Sequence, residues 1–248
     1  LAYYLSVIAA AKWKGKKVML FAQGIGPIRS GFMRMLTRFV VNKADVITVR
    51  DEDSAEELAR IGVAPDKVQV TADSVLTLKP VSRVRGRTIL SEAGLDPYKP
   101  IIGVSVREWP DNQRCLQQLA AALGTLSERY HAQIAILPLQ VSMDRKACQL
   151  LRSYLPETGN KVALLETTYA TEEFLSLVGS FRLLIGMRLH GLIFAAVMKV
   201  PLLAISYDPK VDSFVKAIGA QAVGTVQTLS AEKVVREANA LWGQEQPV

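Results

Sequence analysis

The 248-residue chain has two histidines. One of them, His190, stands two residues after Arg188 inside the apolar run GMRLHGLIFAAV, residues 186–197. Arginine supplies a planar, bidentate fork for carboxylate or phosphate. Histidine is the side chain whose unperturbed pKa, about 6.5, lets it give or take a proton near neutrality. Two more cations follow strand-like segments: Arg107 after GVSV (103–106) and Lys210 in YDPK (207–210). Cations around one proton-transfer group suit an anionic substrate that must be held and protonated. His131 precedes a strand-like run and reads as a surface residue.

These residues can act together only if the fold brings strand ends side by side. Short β-branched runs alternate with amphipathic stretches, which predicts an α/β fold with parallel sheets covered on both faces. Strands are predicted at 17–22, 45–49 and 67–70, and again at 101–106, 133–139, 161–166, 181–186 and 201–207. Helices are predicted at 31–43, 51–62, 113–130, 143–155 and 171–180, and the first residues also read as helical. Ser54 and Glu57 have capping-box spacing at the start of 51–62, and Gly62 marks its end. Residues 75–100 are less patterned.

In open parallel sheets, ligands bind beyond the carboxyl ends of the strands. Arg107 follows the first strand of the second group, Arg188-Leu189-His190 the fourth, and Lys210 the fifth, so one sheet edge would collect them. If the turn after the fourth strand is extended, the spacing of two points Arg188 and His190 the same way. The helix that follows adds unpaired N–H groups and a positive dipole end. The predicted division is 1–80 and 81–248, two Rossmann-like domains, the first short of its opening strands. In that first domain, Gln23, Gly24 and Gly26 form a glycine turn after a strand. Arg50 lies at another strand end, where pairing with Asp51 or Asp53 is an equally good account. Asp73 stands near the domain crossing.

Composition narrows the partners. Half the residues are hydrophobic and the net charge is +7, which suggests an anionic partner. The basic stretches KWKGKK (12–17) and RVRGR (83–87) are short and read as solvated surface. No basic stripe points to nucleic acid. Cys115 and Cys148 form neither a disulfide framework nor a metal-ligand pair, which fits a reducing cytoplasm. The apolar region 183–207 contains Arg188, His190 and Lys199, so it reads as strand, helix and strand rather than a membrane span.

The ordered segments AQGIGP, VRDEDSAEEL, TADSV, GVSVREW, GMRLHGLIFA and ISYDPKV resemble the polysaccharide pyruvyltransferases, with RLHG and YDPKV the most specific. The likeness is nearest to the bacterial enzymes of secondary cell wall polymer. It implies a GT-B-like pair of Rossmann-like domains. It also implies transfer of pyruvate from phosphoenolpyruvate onto a sugar as a ketal, typically across the 4- and 6-hydroxyls of N-acetylmannosamine. Position by position it implies His190 as general acid/base and Arg188, Leu189, Arg107 and Lys210 around phosphoenolpyruvate. Gln23, Gly24, Gly26 and Arg50 are candidates for the acceptor side or the cleft. No cofactor and no metal is implied. The acceptor would be a lipid-linked saccharide, which leaves peripheral association with the inner membrane face open. Two other readings compete. A GT-B glycosyltransferase would need an acid to hold ribose, and Glu166 is the only candidate. A non-catalytic saccharide-binding protein would show aromatic platforms, yet aromatics make up 7% of the chain.

Overall fold

The computed structural model describes residues 1–157 and 159–243. The chain divides into two compact units, Leu1–Thr77 and Leu78–Val248.

In the first unit the order is α1 (Ala2–Trp13), β1 (Met19–Gln23), α2 (Gly31–Val41), β2 (Val46–Val49), α3 (Glu52–Arg60) and β3 (Val68–Val70). The three strands form a parallel sheet in the order β1-β2-β3. Ile47 and Val49 of β2 are its innermost residues, joined by Leu5, Val40, Val41 and Leu58 from the helices.

The second unit runs α4 (Val84–Glu92), β4 (Ile101–Ser105), α5 (Gln113–Tyr130), β5 (Gln133–Ile136), α6 (Val141–Tyr154), β6 (Val162–Leu164), α7 (Thr171–Gly179), β7 (Leu183–Gly186), α8 (Leu189–Val197), β8 (Leu202–Ser206), α9 (Pro209–Ala217), β9 (Gly224–Thr225) and α10 (Ala231–Trp242). Its six strands are parallel and lie in the order β6-β5-β4-β7-β8-β9. Every residue of β4, β5 and β7 is buried. Helices on both faces require this, and it is why these strands read as unbroken apolar runs.

The run 183–207 is strand, helix and strand as expected. The less patterned stretch hides α4, which packs on α7 through Gly86. A Cβ at Gly86 would lie 2.2 Å from the Ser176 carbonyl oxygen, so only glycine allows the approach. Arg85 and Arg87 on either side stay exposed, as a solvated basic stretch should. His131 closes α5 in the left-handed conformation and is exposed, at the amino edge of the sheet.

One local expectation fails. Asp51, not Ser54, caps α3, accepting a hydrogen bond from the Ser54 amide at 2.8 Å. Ser54 and Glu57 instead reach into the loop after β1. The Ser54 hydroxyl accepts from the Ile25 amide at 2.8 Å and donates to the Ile25 carbonyl, while Glu57 accepts from the Ile28 amide at 3.0 Å. The residue spacing was that of a capping box, but both side chains are buried and serve a segment about thirty residues away.

Candidate active site

The strand order of the second unit reverses between β4 and β7, and there the chain leaves the sheet in opposite directions. This is the switch point at which open parallel sheets form a ligand crevice. Ser105 and Gly186 are the last paired residues of the two strands, and the Met187 amide donates to the Ser105 carbonyl at 2.7 Å. Arg107 and Arg188 therefore each lie two residues past the same register pair, on adjacent strand ends. Next to β7, β8 delivers Tyr207, Asp208 and Lys210 to the same edge.

Arg188 is the last extended residue before α8, with φ −71° and ψ 117°. Leu189 and His190 already belong to the first helical turn, so the spacing of two does not act as strand alternation. The side chains diverge. His190 is exposed and Leu189 is buried. The Arg188 guanidinium turns inward to Asp144 in the first turn of α6. Its Nε lies 2.9 and 3.0 Å from the two carboxylate oxygens, and Nη2 also donates to Oδ1. Asp144 is 0% exposed and the Arg188 side chain 15%. The free lone pairs of the carboxylate are further used by the Gln140 amide, 2.9 Å away. Such a fork-to-carboxylate pair has the strongest protein hydrogen-bond geometry. Sequence reasoning missed Asp144. An acid in the first turn of a helix is ordinarily a complement to the helix dipole, and nothing local singles it out.

Arg107 is held differently. Its guanidinium stacks over Tyr207 and Trp109, 4.8 and 5.3 Å from the ring centroids, and Nη1 donates to the Tyr207 hydroxyl at 3.1 Å. The two rings meet edge to face at 5.0 Å. Its other bond is to the Glu108 carbonyl, so no described acid cancels its charge. Flat aromatic walls fix an arginine while leaving its charge available. Lys210 pairs with Asp208 at 3.4 Å in a partly exposed setting, and Asp208 also caps α9. Beneath the first turn of α8, the Ser105 hydroxyl is fully buried with no hydrogen-bond partner among the described residues. Gly191 in that turn faces the hydroxyl, where a Cβ would make ordinary contact at 3.6 Å, and its tight neighbour would be Leu139 Cδ1 at 3.0 Å.

The first-unit residues form a second polar group. Gln23 ends β1 and is exposed, its side-chain amide bonded to the Phe21 carbonyl. Gly26 has φ +120°. A Cβ on Gly24 would lie 2.6 Å from Arg50 Nε, because the guanidinium crosses that glycine. Arg50 is paired with Asp51 at 3.3 Å and with Asp73 at 2.8 Å, all three largely buried. The pairing considered for Arg50 thus exists with Asp51, and Asp73 in the loop after β3 is a further partner. Two carboxylates already meet this cation, so it offers little to an added anion.

Burial alone raises the Cys115 thiol to about 11, and burial followed by the nearby Asp144 charge raises Cys148 to about 12. Neither is a thiolate near neutrality, so neither is an available nucleophile. Among the described residues no group of three or more His, Cys, Asp or Glu could hold a metal ion. No described helix is long and apolar enough to cross a membrane. Glu166, the acid considered for a ribose, pairs with Arg145 at 3.3 Å and accepts from Gln149.

Comparison with known proteins gives the fold and the family. In overall structure the chain is similar to a putative UDP-N-acetylglucosamine 2-epimerase from Listeria monocytogenes, with TM-score 0.67, 16% identity, and coverage of 97% of this chain and 63% of that one. It is also similar to a family 9 glycosyl transferase from Veillonella parvula, with TM-score 0.53, 15% identity, and coverage of 96% and 77%. These likenesses establish the α/β, GT-B-like fold and nothing about substrate. In sequence it is 21% identical to the amylovoran biosynthesis protein AmsJ of Erwinia amylovora over 239 residues, 90% of this chain and 57% of that protein's length. The profile described as "Polysaccharide pyruvyl transferase" matches residues 1–209, which include Arg107, Arg188 and His190 and stop one residue short of Lys210. The chain belongs to the polysaccharide pyruvyl transferase family.

Proposed function

We propose that this chain carries the donor half of a pyruvyltransferase that moves pyruvate from phosphoenolpyruvate onto two hydroxyls of a polysaccharide-precursor sugar. The observation that carries the proposal is the pair of adjacent strand ends at the switch point. One bears Arg107 with its charge uncompensated, and the other bears Arg188-Leu189-His190 at the start of α8. Phosphoenolpyruvate has a carboxylate and a phosphate, and such a donor needs several positive groups in one small place.

In this reading Arg107 supplies the charge, held in position by Trp109 and Tyr207, and Lys210 adds a second, partly screened cation. Arg188 has its Nε–Nη2 edge occupied by Asp144, so it presents its remaining edge in a fixed orientation. Leu189 is buried, so its contribution is the backbone amide at the helix start, where N–H groups and the dipole favour an anion. His190 protonates the methylene carbon of the donor. C2 becomes electrophilic and a sugar hydroxyl adds to it. The C2–O bond to phosphate breaks, inorganic phosphate leaves, and the second hydroxyl closes the ketal. The two hydroxyl protons leave to His190 and solvent. The protein supplies positioning and charge, and the step requires no cofactor.

For the acceptor we propose an N-acetylmannosamine unit of a lipid-linked cell-wall precursor, pyruvylated at the 4- and 6-hydroxyls on the inner face of the membrane. Gln23, Gly24, Gly26 and Arg50 remain the acceptor-side candidates, with Arg50 acting through its ion pairs.

Calorimetric titration tests the donor. Phosphoenolpyruvate is expected to bind the wild type and to be lost in Arg107→Ala. His190→Ala should keep binding but lose turnover by about 100- to 10,000-fold, the usual share of a general acid. Binding of a UDP-sugar in place of phosphoenolpyruvate would instead favour a nucleotide-sugar transferase on the same fold.

A further inference from the structure

The positive charge is not spread along the chain as its short basic stretches suggest. Residues 1–49 hold eight Lys and Arg against one Asp, a net +7, whereas residues 50–248 hold 22 basic and 22 acidic residues and balance. The single acid, Asp45, is already bound to Lys12 at 2.9 Å and to the Val18 amide. The whole excess of the protein therefore sits on α1, β1, α2 and the loops between them.

The same elements expose large apolar side chains. Phe32, Met35 and Phe39 are spaced to form one stripe on α2, and each is more than 60% exposed. Trp13 at the end of α1 is 87% exposed. A groove of about 470 Å³ between the two helices is lined by Ala9, Lys12, Trp13, Phe39, Val40 and Lys43. Lys43 sits 4.0 Å above the Phe39 ring. Exposed Lys14, Lys16 and Lys17 continue from Trp13 in the following loop. The opposite side of α2 is apolar too, with Val40 and Val41 in the core, so the exposed Phe32, Met35 and Phe39 form a second apolar stripe on this helix.

We infer that the α1–α2 face is a docking surface for an anionic phospholipid bilayer. An apolar stripe with aromatic side chains, rimmed by lysine and arginine, is the pattern of an interfacial helix. Its rings enter the headgroup boundary while its cations meet lipid phosphates. Charge complementarity selects this partner. A neutral protein partner would leave a +7 segment unopposed, and a nucleic acid would not use a stripe of Phe and Met. The inference rests on the reading that the acceptor is lipid-linked, and it names the surface that would bring the enzyme to it.

Co-sedimentation of the protein with phosphatidylcholine vesicles, with and without one quarter phosphatidylglycerol, tests this. The protein should sediment with the anionic vesicles only, and release as salt rises to 0.5 M. Each basic residue near such a surface contributes roughly fivefold. The Lys14→Gln/Lys16→Gln/Lys17→Gln variant should therefore bind on the order of a hundredfold more weakly. Phe32→Ser/Phe39→Ser should lose at least tenfold, with an unchanged circular dichroism melt because both rings are exposed. Absence of binding to anionic vesicles, equal binding to neutral ones, or undiminished binding by both variants would overturn the inference. So would a solution dimer abolished by Phe32→Ser/Phe39→Ser, or capture by a short RNA, if vesicles do not bind. The vesicles contain neither phosphoenolpyruvate nor saccharide. A failure here with donor binding intact discards the surface alone, and the reverse result discards the donor site alone.

Discussion

The Asp144–Arg188 pair yields the sharpest test of how the site is built. Truncating Asp144 to Ala leaves the Arg188 guanidinium, 15% exposed, without its counter-charge. Changing Arg188 to Met leaves a carboxylate that is 0% exposed with only the Gln140 amide. Removing one partner of a buried ion pair costs about 3–5 kcal/mol. Against a total stability of about 5–15 kcal/mol, that is a large share. Arg188 can swing toward water, so Asp144→Ala should fall at the lower end, near 3 kcal/mol, and Arg188→Met nearer the upper. The double variant removes both charges at once and should cost less than the sum of the singles by at least about 2 kcal/mol, since contacting charges do not act independently. Urea unfolding followed by tryptophan fluorescence measures all three. Costs that add to within about 0.5 kcal/mol would mean that the two groups do not depend on each other. The view of Arg188 as a residue oriented by Asp144 would then be wrong. In the same series Asp144→Asn should bind phosphoenolpyruvate more weakly while keeping the pH dependence of turnover, because it disturbs the orientation of Arg188 and leaves His190 in place.

Gly86→Ala should destabilise by about 3 kcal/mol or more, because its new methyl group would meet the Ser176 carbonyl and helices do not yield at backbone contacts. A melting curve checks this, and a loss under 1 kcal/mol would show that α4 and α7 can separate. The buried thiols predict alkaline weakening. Their folded values, about 11 and about 12, lie above the ordinary 9.0, so their contribution is full below pH 9 and is lost as pH rises toward those values. At pH 10 each thiol should cost about 1 kcal/mol, seen as a fall in urea midpoint that Cys148→Ala reduces by its share. An unchanged midpoint between pH 8 and 10 would contradict the burial argument.

The alternation of strands and helices was legible because parallel strands buried on both faces must be apolar throughout, and helices between them must be amphipathic. Both are local patterns. The RLHG segment was legible for a related reason: cations and a histidine within an apolar run stand out wherever they are. Helix α4 was not, since only Gly86, Ile89 and Leu90 of it are buried and the meaning of Gly86 depends on the Ser176 carbonyl in α7, ninety residues later. Ser54 and Glu57 misled in the same way. Their spacing was a local signal, but their bonds go to Ile25 and Ile28, across the gap between two strands' ends.

The site divides along that line. Residue type and strand-end position placed Arg107, Arg188, His190 and Lys210 at one sheet edge, because a β-strand followed by a helix is written into neighbouring residues. Which cation remains available there was a tertiary decision. Asp144 is 44 positions from Arg188, and Asp73 is 23 from Arg50. Tyr207 is 100 positions from Arg107. Coulomb and hydrogen-bond energies depend on distance in space, and it is the strand orders β1-β2-β3 and β6-β5-β4-β7-β8-β9 that turn those separations into contacts of about 3 Å.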